Sequence, residues 1–131
     1  VATWTDVRRI ALALPETTEQ SSRGTTHWRV RDRNFVWERP LHRVDREALG
    51  EAAPDGPVIG VRVADLGVKE AVLAEDSDVF FTIPHFDGFP AVLVLLDLIE
   101  VAELDELIVE AWLTRAPARL AKEYLASSQP T

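Results

Sequence analysis

The run AVLVLLDLI, Ala91 to Ile99, is apolar at almost every position. A strand with one wet face alternates apolar and polar residues, so a run without alternation needs cover on both sides. It is therefore expected to lie centrally in a sheet packed by other elements. The stretch DVFFTI before it reads as a neighbouring strand, and the two are joined by PHFDGFP. In that loop Asp87-Gly88 suits a turn: the carboxylate accepts from local N–H groups and the glycine is free to take positive φ. Pro90 stiffens the approach to the buried strand, while Phe86 and Phe89 are expected to close its end.

The remaining elements follow from periodicity and punctuation. TWTDVRRIALALP predicts a first helix, with Thr3 as cap, Asp6 three residues on, and Trp4, Val7, Ile10, Ala11 and Leu14 on one face. The polar stretch ETTEQSSRGTT reads as a loop. THWRVRDRNFVWER predicts a hairpin turning at RDRN, with Trp28 and Val30 alternating with His27, Arg29 and Arg31. A long connection follows, with a helical turn at DREAL and a stop at Pro54-Asp55-Gly56-Pro57. VIGVRV is a third strand, and Asp65 caps a helix over LGVKEAVLAE, weakened by Gly67. DELIVEAWLTRA and PARLAKEYLA close the chain as helices, the first with a stripe of Leu104, Leu107, Ile108, Ala111 and Trp112. Trp4, Trp28 and Trp37 are expected to share a cluster with Trp112 and Tyr124.

The order α-β-β-β-α-β-β-α-α, with strands in hairpin-like runs, indicates an α+β domain with a mainly antiparallel five-stranded sheet packed by helices. The 131 residues are expected to form one domain, large enough to bury roughly two-thirds of its unfolded surface without metals or disulfides. With no cysteine there is no disulfide, thiolate nucleophile or cysteine zinc site. No apolar run is long enough to span a bilayer and no signal-peptide pattern opens the chain, so a cytoplasmic location and no membrane partner are expected. The chain has no methionine, and the numbering is expected to omit an initiator.

The net charge of −8 opposes non-specific attraction to phosphate backbones. The charge is uneven, however. Residues 1–46 carry nine Arg against six Asp and Glu, and the remaining segment carries five Lys and Arg against sixteen Asp and Glu. Salt screens charges beyond about 8 Å, so a basic face can coexist with an acidic remainder.

Two groups of residues could carry chemistry. His85, two residues from Asp87, has the composition of an imidazole base oriented by a carboxylate. No serine, threonine or cysteine stands in a nucleophile-elbow setting, and the turn chemistry of Asp87-Gly88 accounts for the motif structurally. No catalytic residue is therefore assigned, and an enzyme using His85 is the third reading. His27, His42 and His85 are far apart and lack ligand spacing, which predicts no metal. The absence of GxGxxG and GK[ST] spacing predicts no nucleotide cofactor. The second group is Arg29, Arg31, Arg33 and Arg39, which could present guanidinium groups on one surface toward phosphates or carboxylates. Alternatively they are an exposed charged face, partly neutralised by Asp32 and Glu38, that guards a strand edge.

The opening helix TWTDVRRIALALPETTE, the hairpin HWRVRDRNFVW, the unit GVRVADLGVKEAVLAEDSDVFFTIPHFDGFPAVLV and the closing ELIVEAWLTRAPARLAKEYL occur in an order that resembles the MmcQ/YjbR family of small bacterial proteins. The likeness covers about Thr3 to Leu125, with PHFDGFPAV and APARL its most specific parts, and Leu41 to Pro57 as an apparent insertion. The resemblance implies a compact fold similar to type III secretion chaperones and a DNA-binding label attached through a double-wing hairpin arrangement. It brings no enzymatic activity and no cofactor. The expected protein is a non-enzymatic binding domain. Its partner is nucleic acid on the basic hairpin (Arg29, Arg31, Arg33, Arg39, with His85 nearby) or, alternatively, a peptide or protein segment in a chaperone-like mode.

Overall fold

The structure is a computed structural model, which describes residues 1–128. Residues 129–131 of the expected single domain lie outside the described residues. Thr3 caps helix α1 (Trp4–Leu12) through a capping box: its hydroxyl accepts from the Asp6 N–H, and the Asp6 carboxylate accepts from the Thr3 N–H at 2.9 Å. Three strands follow: β1 (Thr17–Ser22), β2 (Thr25–Val30) and β3 (Arg33–Glu38). The long connection holds α2 (Arg43–Leu49) and a single 3₁₀ turn, Gly50–Ala52. Then come β4 (Val58–Arg62), α3 (Leu66–Glu75), β5 (Phe80–Phe81), a second 3₁₀ turn Pro84–Phe86, β6 (Ala91–Leu95), α4 (Val101–Arg115) and α5 (Ala118–Ser128).

The strands form one antiparallel sheet in the order β1-β2-β3-β4-β6-β5. The α+β class and antiparallel pairing are as expected, but there are six strands instead of five. The extra strand is β1, in the stretch read as a loop. Its sequence TTEQSS has no apolar alternation because it lies at the sheet edge, with only one neighbour and no fully buried side chain. Its turn into β2 is two residues long, Arg23 at φ 53° and Gly24 at φ 81°, the pair of positive values that a tight hairpin turn requires. β5 is shorter than DVFFTI suggested, with only Phe80 and Phe81 pairing. β6 is flanked on both sides and buried at every position, as its unbroken apolar run demanded.

The two faces of the sheet are packed differently. Val36, Val61, Ile59, Val94 and Phe80 face the larger core, where Val7 and Ile10 of α1, Leu104, Ile108 and Trp112 of α4, and Leu120 of α5 pack on them. Trp112 is fully buried; its Nε1 donates to the Pro15 carbonyl at 3.1 Å, and its ring meets Tyr124 at 5.0 Å. The opposite face carries a row of directly paired residues crossing five strands: His27, Trp37, Gly60, Leu93 and Phe81. Beyond Gly60 this face is covered by a smaller cluster of Val58, Ile83, Phe86, Leu93 and Leu95, with Leu41 and Leu49 from the long connection. Trp37 belongs to this second cluster, so the expected sharing of one cluster by all the tryptophans fails for it.

Two local devices set the faces. The β2–β3 register shifts between Trp28 and Arg29, so that Phe35 is an extra residue and both Phe35 and Val36 turn into the larger core. Asn34 and Trp37 on either side then face the opposite way. Gly60 lies beneath the Trp37 indole: a Cβ there would come within 2.6 Å of Trp37 Cζ2. Glycine in mid-strand marks this close approach. Gly60→Ala is expected to destabilise the fold by about 1–3 kcal/mol through overpacking, measured by denaturant titration. Most of the loss should return in a Trp37→Leu background. An alanine variant as stable as the parent would show that the indole moves freely.

Candidate functional site

The covered and bare halves of the second sheet face leave a cleft of about 510 Å³ between them. Its floor is β2 and β3, which contribute His27, Arg29, Asn34 and Trp37. Arg62, at the end of β4, and Arg115, in the last turn of α4, approach from one side. Phe86 and Phe89, from the PHFDGFP loop, form the wall, and Asp32 stands in the β2–β3 turn.

The polar floor is ordered by a relay. Arg29 Nε donates to Asn34 Oδ1 at 2.6 Å. With its oxygen so used, Asn34 Nδ2 donates to His27 Nδ1 at 3.4 Å, leaving the His27 proton on Nε2 to donate to Thr25 Oγ1 at 3.3 Å. Burial, then the charge of Arg29, pushes the His27 pKa below its ordinary value against a smaller opposing pull from Glu38. The ring is neutral at pH 7.

The two other cleft arginines are in a different condition. Arg62 Nε and Arg115 Nε are buried without a hydrogen-bond partner, and neither guanidinium makes an ion pair with any described residue. Burial depresses both pKa values, with Arg115 adding repulsion to Arg62 and Arg33 adding repulsion to Arg115. Both stay charged at neutral pH, because a guanidinium does not lose its proton in proteins. Arg62 rests on the Phe89 ring at 4.8 Å, which partly offsets its lost hydration.

The aromatic wall is held from behind by a buried lysine. Lys69, on α3, donates from Nζ to the carbonyls of Phe86 at 2.6 Å and Phe89 at 2.9 Å. Burial lowers the Lys69 pKa, and the nearby Asp87 carboxylate opposes that shift. Asp87-Gly88 makes the turn expected, with Gly88 at φ 74°.

The arginines singled out from the hairpin do not converge. Arg29 enters the cleft. Arg31, in the turn at φ 54°, pairs with Glu16 through two contacts, the shorter 2.8 Å. Arg33 turns to the other side of the sheet and donates to the Arg115 carbonyl at 3.4 Å. Arg39 is buried against Asp45 at 3.1 Å and covers the outer side of Phe86. Burial alone would raise the Asp45 carboxyl, but the His42 N–H and Arg39 outweigh it and hold it below the usual carboxylate range. His85 is exposed and lines a separate cleft with His42, Asp45 and Pro84; its ring meets the Phe86 ring edge-on at 4.9 Å. No serine, threonine or cysteine lines that cleft. Among the described residues no group of three or more His, Asp and Glu gathers to hold a metal, and no helix is long and apolar enough to cross a membrane.

Arg62, Arg115, Trp37 and Lys69 were missed from sequence. Arg62 left a signal: VIGVRV places it on the same strand face as Val58 and Gly60, where a charge and a glycine interrupt an otherwise apolar run. Arg115 and Lys69 left none, because helical periodicity does not reveal which loop a helix end or a lysine tip will reach.

An α+β domain with a single antiparallel sheet, α1, α4 and α5 on one face, and α2 and an arginine-lined cleft on the other is the class defined here. A family model described as YjbR matches residues 12–114, and the chain belongs to that family. It is 53% identical over 131 residues to uncharacterized proteins of Mycobacterium bovis and of two Mycobacterium tuberculosis strains, covering 98% of this chain and 99% of each relative. The crystal structure of a Deinococcus radiodurans protein with a DUF419 domain superposes with a TM-score of 0.62 at 18% identity, over 86% of this chain and 77% of that one. That likeness supports the fold.

Two outcomes follow from the geometry. Lys69→Met removes the ammonium from two carbonyls that each keep one backbone donor, and is expected to cost about 1–3 kcal/mol, with amide exchange rising across residues 84–90. A loss under about 0.5 kcal/mol, the usual size for a surface position, would show that water replaces the ammonium. The depressed His27 pKa means that the unfolded chain binds the proton first on acidification. Stability contributed at His27 is thus present above pH about 6.5 and is lost as pH falls through the lower folded value. His27→Gln should flatten the melting temperature between pH 7 and 5 relative to the parent; superimposable profiles would contradict this.

Proposed function

We propose that the protein is a non-enzymatic binding domain whose cleft takes an anionic ligand between Arg62 and Arg115. The observation that carries this reading is the pair of arginines lining one cavity without an ion-pair partner, each with its Nε shielded from water and unbonded. A partly desolvated cation without a partner costs free energy in the empty protein, and an incoming anion recovers part of it. The cavity volume lies in the range of small-molecule sites.

Duplex nucleic acid, the partner attached to the family label, calls for a row of free cations along an exposed surface. Here Arg31, Arg39 and Arg43 are matched by Glu16, Asp45 and Glu47, and the whole chain is acidic. A small anion in the cleft is therefore favoured over a duplex, and over a peptide laid along the sheet. Binding is favoured over catalysis because the His85 cleft contains no nucleophile and its Asp45 carboxylate is already held by Arg39.

The test is a thermal melt in inorganic phosphate against chloride at equal ionic strength. Phosphate is expected to raise the melting temperature of the parent and leave the double variant Arg62→Gln, Arg115→Gln unmoved. The same variant should be about as stable as the parent in chloride, since the two charges it removes are partly desolvated and have no ion-pair partner. Equal phosphate stabilisation of both proteins, or none of either, would sink the reading.

A further inference from the structure

We propose that the ligand of the cleft is a phosphomonoester carried on a planar aromatic ring, with the phosphate between Arg62 and Arg115 and the ring on the Trp37–Phe89 side. This rests on the anion-binding reading above and adds the chemistry of the occupant.

Charge selects the head group. Arg29, Arg62 and Arg115 line the cleft against a single carboxylate, Asp32, while His27 is neutral. The lining is thus two positive charges in excess. A carboxylate or sulfonate monoanion would leave one of them uncompensated in a partly desolvated site. A phosphomonoester carries about −1.5 to −2 at pH 7 and three acceptor oxygens. Its oxygens can accept from the terminal guanidinium N–H groups of Arg62 and Arg115, since the Nε atoms themselves are shielded.

The apolar side selects the ring. Trp37 is seated on Gly60, with no room for even a methyl group between them, so its indole is a fixed plate whose outer surface lines the cleft. Phe86 lies 6.1 Å from it, and Phe89 lies 6.0 Å beyond Phe86. Phe89 is 40% exposed although the lysine tie fixes its backbone. A preorganised aromatic wall beside paired cations suits a flat ring joined to a dianion, because stacking needs only a π-face.

The same geometry limits what can be read from the ring's edge. The Asn34 amide is engaged on both sides, its oxygen by Arg29 and its nitrogen by His27. His27 Nε2 is turned to Thr25. The Asn34 oxygen and nitrogen thus each spend one of their two hydrogen bonds within the floor, and the imidazole spends both of its own, which weakens discrimination between heterocycles. Recognition by stacking without edge contacts predicts similar affinities for purine and pyrimidine monophosphates.

The experiment uses the full chain and isothermal titration with six probes: glycerol phosphate, phenyl phosphate, adenosine monophosphate, uridine monophosphate, benzoate and a short oligodeoxynucleotide. The three ring-bearing phosphates are expected to bind about tenfold or more tighter than glycerol phosphate, the worth of one stacked ring. Benzoate should bind more weakly than phenyl phosphate, and uridine and adenosine monophosphates should agree within about threefold. Trp37→Leu should abolish the ring preference and leave glycerol phosphate affinity unchanged. Phe89→Leu, at a half-exposed position, tests the same wall should the tryptophan variant not fold. Equal affinities for glycerol and phenyl phosphates would overturn the ring assignment while leaving the anion seat standing. Benzoate equal to phenyl phosphate would overturn the dianion. Failure of every anion would remove both readings. Binding of an oligodeoxynucleotide without binding of any monophosphate would replace the small ligand by a nucleic-acid strand.

Discussion

The Lys69 ammonium joins parts of the molecule that no strand pairing connects. It leaves α3 and meets two carbonyls of the loop between β5 and β6. That loop positions Phe86 in the smaller cluster and Phe89 on the cleft, and it delivers Pro90, whose carbonyl accepts from Val63 at the end of β4. An ammonium is an expensive group to bury, and it is tolerated because it donates to two carbonyls, each of which also accepts one backbone N–H. Asp87 adds a favourable charge nearby. The helix, the turn, the start of the buried strand and the aromatic wall are thus one connected unit.

Much of the fold was legible because one face of each element carries its pattern openly. The unbroken run in β6, the Thr3–Asp6 capping box and the α4 stripe each state a burial requirement that has few solutions. β1 was illegible for the opposite reason. An edge strand of threonine, serine, glutamate and glutamine is held by backbone hydrogen bonds to β2, and those carry no side-chain signature.

The cleft was legible only in fragments. Arg29 was singled out for its place on the hairpin, and it does face the cavity. The other three arginines followed the same local pattern, yet a bulge, a turn and a buried carboxylate sent each elsewhere. Arg62 and Arg115, 53 positions apart in the chain, come together only through the packing of α4 across the sheet. No spacing rule foretells such a meeting. The basic first third of the sequence is largely spent on ion pairs with local acids, and the uncompensated charge lies mainly in its acidic remainder.

The extra residue at Phe35 has a bearing on how this chain can vary. Side chains alternate along β3 on both sides of it, so the bulge acts as a phase shift between the turn and Trp37. Removing one residue on the turn side would exchange Asn34 with a neighbour, presenting to the cleft what now faces the helices. The tip of this hairpin is exposed and looks free to lengthen or shorten. Its length is nevertheless coupled to what the far side of the sheet displays, and changes there preserve the cleft only when they keep the parity of the strand.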